Sequence, residues 1–254
     1  MCTEKIVVFD SGVGGVSVLR HLRRLLPKER FLYFGDCANA PYGVRTTQQV
    51  RELTMTAISR LLDNHRVKAL VIACNTATSA AIAQLRATYP EMIVIGIEPA
   101  LKPAADRFPA GNIGIMATEV TLREKKLAQL MDRYGEKATV SRISAPGLVE
   151  LVEQGKGRSP EAKALLEPIL RPYAGKLDAL VLGCTHYPFA EAVIREILGE
   201  EPLILDGGEG TARETRRRLV AAGLLYDGEE DGGVEIESSG ARDDFAALVQ
   251  QLME

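Results

Sequence analysis

Short apolar runs rich in β-branched residues alternate with longer segments of helical period along the whole 254-residue chain. The apolar runs predict strands at Ile6 to Phe9, Phe31 to Phe34, Ala69 to Ala73, Ile93 to Ile95 and Ile113 to Met116. Later runs predict strands at Thr139 to Ile143, Ala179 to Leu182, Pro202 to Leu205 and Val234 to Ile236. The segments between them predict helices, among them Val16 to Leu26, Thr47 to Asp63 and Thr121 to Tyr134. Strands this apolar, joined by crossovers this long, predict parallel sheets covered by helices on both faces, an α/β fold.

An internal echo subdivides the pattern. Residues 69–74 read ALVIAC and residues 179–184 read ALVLGC, with the two cysteines 184 − 74 = 110 residues apart. A fainter echo pairs IVVFDS at 6–11 with IGIMAT at 113–118. Buried strands resemble one another, so the apolar part alone says little. A cysteine ending both strands, followed by Asn75-Thr76 or Thr185-His186, says more. The C-terminal ends of strands are where open α/β sheets bind ligands. Two similar α/β lobes are expected.

Composition narrows the function. Lys and Arg total 31 against 34 Asp and Glu, a formal net charge of −3, so no basic footprint for nucleic acid or a membrane surface is expected. A signal-peptide-like segment and any apolar run of about 18 or more residues are both missing, which leads us to expect a cytoplasmic protein. A chain of this length buries enough surface to fold without disulfides or structural metal. Its four cysteines, Cys2, Cys37, Cys74 and Cys184, form no C-x-x-C pair and are expected to be free thiols.

A free cysteine usually packs as a small hydrophobe. Cys2 is terminal, and Cys37 in GDCANAPYG reads as structural. Cys74 and Cys184 stand apart because they are a matched pair. Inverting an α-carbon requires taking a proton from one face and delivering one to the other, which suits two opposed groups, one ionised and one protonated. A thiol, with a pKa of about 8.5 that nearby N–H groups or cations lower, serves either role. At a strand end just before a helix, the helix dipole favours the thiolate. Asp10 follows the first strand as a candidate ligand or a simple cap, and the glycines of Ser11-Gly12-Val13-Gly14-Gly15 allow close backbone approach to an anion at a helix start. His186, two residues beyond Cys184, is placed to tune it.

Rival readings fit less well. A dinucleotide-dependent oxidoreductase would use the Gly12 to Gly15 turn and Asp36, but the third glycine of G-x-G-x-x-G falls on Ser17. A two-lobed binding protein would leave paired thiols without purpose. Zinc held by Cys74, Cys184 and His186 lacks the usual ligand spacing, and no motif nominates a Schiff-base lysine.

The combination VFDSGVGG at 8–15, YFGDCANAPYG at 33–43, ACNTAT at 73–78 and LGCTHYP at 182–188 resembles the glutamate racemase family of the aspartate/glutamate racemase superfamily. The resemblance implies two pseudo-symmetric lobes with the active site in the cleft between them: residues 1–97 plus 207–254, and 98–206. It implies cofactor-independent interconversion of L- and D-glutamate, supplying D-glutamate for bacterial peptidoglycan, commonly by a homodimer. It implies Cys74 and Cys184 as the acid/base pair, assisted by Asp10 and His186, with Glu153 supporting His186. Asp10, Ser11, Tyr42, Gly43, Asn75, Thr76, Thr118, Thr185 and His186 would hold the substrate. Cys37, Asn39, Ala145-Pro146-Gly147 and Gly207 depart from the usual pattern, outside both cysteine motifs.

Overall fold

The computed structural model describes residues 4–135, 138–240 and 244–254; Cys2 lies outside them. Its nine strands are β1 (Lys5–Asp10), β2 (Phe31–Gly35), β3 (Val67–Ile72), β4 (Ile93–Gly96), β5 (Asn112–Ala117), β6 (Thr139–Ser144), β7 (Ala179–Leu182), β8 (Leu203–Asp206) and β9 (Val234–Ser238). Every apolar run read as a strand is one. The chain divides into two compact units, Met1–Glu98 with Gly208–Glu254, and Pro99–Gly207.

Each unit is built on one sheet whose pairings are all parallel, ordered β4-β3-β1-β2-β9 in the first and β6-β5-β7-β8 in the second. Reading the second in reverse, β8-β7-β5-β6 repeats the order β4-β3-β1-β2. The echo is therefore topological: IVVFDS and IGIMAT lie on the equivalent strands β1 and β5, and the two cysteine runs on β3 and β7. Central strands are buried almost throughout, as helices on both faces require, whereas the edge strands β6, β8 and β9 are only partly covered.

In the first unit, the C-terminal segment is fixed by specific packing. β9 pairs with β2, and the helix Phe245–Met253 sets Phe245 against Tyr33 with ring centroids 6.2 Å apart. Gly35 leaves the space for that ring: a β-carbon there would lie 2.4 Å from Phe245 Cζ. The buried Lys68 ammonium pairs with Glu29 at 2.6 Å and donates to the Leu224 carbonyl at 2.9 Å.

Helices Val16–Leu25 and Thr47–Asn64 match the sequence pattern, the latter opened by a capping box between Thr46 and Gln49. The stretch Thr121 to Tyr134 differs: it is two helices, Glu119–Arg123 and Lys125–Gly135. Thr118 caps the first by accepting from the Thr121 N–H, and Glu124 then turns to an extended conformation with ψ 138°. Neither Pro nor Gly marks the break, so the side-chain period runs through it unchanged.

Candidate active site

In the first unit, β1 and β3 are neighbours and end together. Ala73 N–H donates to the Phe9 carbonyl at 2.8 Å, which sets Cys74 beside the Asp10 and Ser11 turn. Cys74 is the N-cap of the helix Asn75–Thr88, and its sulfur accepts the Ala77 N–H at 3.4 Å. A donor at the positive end of a 14-residue helix favours negative charge on that sulfur. Ser11 Oγ lies 3.7 Å from Cys74 Sγ.

Asp10 is the last residue of β1 and fully buried, its Oδ1 accepting the Gly12 N–H at 2.9 Å. Gly15 is required beside it, because a β-carbon there would lie 2.7 Å from Asp10 Cβ. Tyr33 donates to the Gly12 carbonyl at 2.7 Å and pins the glycine turn. Tyr42 is buried and donates to Asp36 at 2.5 Å, while Gly43 is half-buried. Burial, then the bond to Asp36, push the Tyr42 phenol far above its ordinary value, so it stays protonated.

Asn75 and Thr76 are buried in the first helical turn after Cys74. Both polar atoms of the Asn75 amide are buried without a hydrogen-bond partner among the described residues. Such a group costs roughly 1–3 kcal/mol when left unmade, and each case in a native fold demands a reason. A ligand that both donates and accepts supplies one.

The second unit repeats the frame with different partners. Gly183 N–H donates to the Met116 carbonyl at 2.7 Å, the counterpart of the Ala73 to Phe9 bond, and brings Cys184 to the end of β7 beside the end of β5. Glycine fits there because a β-carbon would meet Ala117 Cβ at 3.1 Å. Asp10 has no equivalent carboxylate in this unit, since the aligned position is Ala117. Cys184 also differs from the sequence expectation of a helix start immediately after the thiol: a short 3₁₀ turn, Tyr187–Ala190, comes first. Its sulfur faces an imidazole instead.

Cys184 Sγ lies 3.8 Å from His186 Nδ1, and His186 Nε2 lies 2.7 Å from Glu153 Oε1. Glu153 closes the short helix Leu148–Glu153. Burial opposes charge on His186, but the hydrogen bonds and charges of Cys184 and Glu153 outweigh it and hold its pKa well above the histidine norm. The three side chains form a contiguous thiol–imidazole–carboxylate row. Thr185 is buried beside it, and Thr118 follows the adjacent β5 as the cap of the next helix. Burial, then the charges of Cys184 and Glu150, also raise the Tyr187 phenol.

The structure thus assembles Asp10, Ser11, Tyr42, Asn75 and Thr76 around the Cys74 strand ends, and Glu153, Thr185 and His186 around Cys184. Sequence reading passed over Tyr33 and Tyr187, and it gave Gly15 a backbone role without its contact to Asp10. Gly15 sat in a quoted motif, but its role depends on Asp10 Cβ, which only the fold brings near.

Two such units, each offering a buried thiol at the C-terminal edge of a parallel sheet, define a thiol-bearing α/β protein of the racemase class. The sequence model described as Asp/Glu/Hydantoin racemase matches residues 6–215, and the chain belongs to that family. Within it, the glutamate racemase of Clostridium kluyveri is 48% identical over 233 residues, covering 91% of this chain and 90% of that protein. The glutamate racemase of Thermus thermophilus, solved in complex with beta-chloro-D-alanine, superposes with a TM-score of 0.82 at 38% identity, over 99% of this chain and 94% of that one. That of Escherichia coli, solved with L-glutamate and an activator, gives 0.85 at 27% identity over 98% and 95%.

Proposed function

We propose that this chain is a cofactor-independent racemase that interconverts L- and D-glutamate through Cys74 and Cys184. The observation that carries the reading is the matched thiol at equivalent strand ends, in a chain 48% identical to a glutamate racemase over 91% of its length. The glutamate complex of the Escherichia coli relative supports a small acidic substrate.

In the proposed reaction one cysteine starts as thiolate and removes the α-proton, breaking the C–H bond and leaving its electron pair on the substrate as a carbanion. The other starts as thiol and delivers its proton to the opposite face. The two sulfurs end in exchanged protonation states, and proton exchange between turnovers resets them. On the Cys74 side the Ala77 N–H and the helix start stabilise the anion; on the Cys184 side the His186 imidazolium does, braced by Glu153. Asn75 would grip the substrate through its amide, gaining the partners it lacks.

The same reading makes the protein a cytoplasmic source of D-glutamate for peptidoglycan, supported by its bacterial relatives, and a homodimer, supported by the family resemblance. The deciding experiment follows circular dichroism of L- or D-glutamate in deuterated water with a metal chelator and no added cofactor. Loss of optical rotation with deuterium at the α-carbon is expected. An unchanging signal from both enantiomers overturns the proposal.

A further inference from the structure

Away from both cysteines, the first unit carries a groove of about 600 Å³ between the helices Val16–Leu25 and Gly208–Ala221. Leu25 and Val220 floor it and stay 38% and 50% exposed, unusual for side chains of that size. Around them stand Arg24, Arg213, Arg216 and Arg217, against the single lining carboxylate Glu209. Glu209 and Glu214 engage Arg213 and Arg217. Arg24 and Arg216 form no ion pair among the described residues, although the Arg24 charge also acts on Glu209, in a chain whose net charge is negative.

The complement lies in the same unit. Asp227, Glu229, Glu230 and Asp231 form an exposed acidic loop with no ion pair among the described residues. The loop is held at both ends rather than trailing: Tyr226 N–H donates to Glu29 at 2.9 Å, and Gly232 N–H to the Pro27 carbonyl at 3.0 Å. Gly232 is required for that seat, since a β-carbon would fall 1.8 Å from the Glu29 carbonyl oxygen.

We infer that the arginine groove is the docking site for the 227–231 loop of a second copy of this chain. Each copy presents one groove and one loop, so a two-fold axis forms both contacts at once and closes the assembly. Arg24 and Arg216, flanked by the already paired Arg213 and Arg217, meet the loop carboxylates, and docking covers Leu25 and Val220. Facing charges of opposite sign also make the association selective and sensitive to salt. The inference rests on the homodimer part of the proposed function and names its contact, while the catalytic part stands or falls separately.

Charge reversal tests it by sedimentation velocity. The wild type should dimerise, with a dissociation constant rising about tenfold or more between roughly 0.05 and 0.5 M sodium chloride. Arg24→Glu/Arg216→Glu gives an acidic groove and acidic loop; reversing all four loop carboxylates (Asp227→Lys/Glu229→Lys/Glu230→Lys/Asp231→Lys) gives a basic groove and basic loop. Each alone should dimerise at least about tenfold more weakly, while an equimolar mixture should recover dimer, because both contacts again pair opposite charges. Should the double reversal unfold, Arg216→Gln keeps length and polarity and should still weaken dimerisation and flatten its salt dependence. Dimers of unchanged strength in the variants, or a mixture that stays monomeric, overturn the inference. So does a monomeric wild type, even one whose groove captures a short poly-glutamate peptide.

Discussion

His186 Nε2 lies 2.7 Å from Glu153 Oε1, with the other ring nitrogen 3.8 Å from Cys184 Sγ, so one imidazole links a carboxylate to a thiol. Glu153→Gln removes the charge that helps to hold the His186 proton. The alkaline limb of kcat/KM set by that proton should move to lower pH, with kcat reduced. An unshifted profile would show that Glu153 does not act through His186.

The same link makes a stability prediction. The folded-state pKa of His186 is raised, so its contribution to stability is fully present below the ordinary histidine value of about 6.5 and fades as pH rises through the raised value. Glu153→Gln should therefore cost most stability between about pH 5 and 6.5, with the gap in Tm to wild type closing at alkaline pH. Thermal melts across that range check the sign.

Replacing either thiol separates chemistry from fold. Cys74→Ala and Cys184→Ala should each lower racemisation by about 10²-fold or more, the scale of one acid/base group. Both sites are strand ends already flanked by small residues, so the variants should remain folded. Near-normal turnover in either, with an unchanged melting curve, is incompatible with the two-thiol mechanism.

Asn75 combines a cost in the free protein with a use in the complex. Asn75→Ala should leave the unliganded Tm unchanged or higher, because a buried unmet amide is removed. It should raise KM for glutamate about tenfold or more and abolish the increase in Tm that glutamate gives wild type. A destabilised variant with normal KM would assign Asn75 to structure.

The Lys68–Glu29 pair is buried on both sides. Lys68→Met leaves the Glu29 carboxylate without its cation and should destabilise the protein by about 3–5 kcal/mol. Denaturant unfolding measures it. Loss of the Lys68 bond to Leu224 should also expose residues 222–233 to faster amide exchange than in wild type.

Much of this was legible in the chain. The nine strands could be read because a strand buried on both faces must be apolar nearly throughout, whichever strand it pairs with. The repeat could be read because equivalent strands carry equivalent demands: ALVIAC and ALVLGC solve the same packing problem in two sheets of the same order. The thiols stood out because each ends such a strand. The helix break at Glu124 left no trace, since it changes backbone direction without changing the composition around it.

The residue types, their periodicity and the family motifs were fixed by the sequence alone, because they express local backbone preference and burial. Tertiary structure decided which partners those residues acquired. Glu153 meets His186 across 33 residues, and β9 joins β2 some 200 residues away, through contacts whose cost in chain entropy only a complete fold offsets. Cys74 and Cys184 are near twins in sequence, yet one faces a helix N–H and the other an imidazole. That difference lies in three-dimensional packing, where the chemistry of a thiol is set.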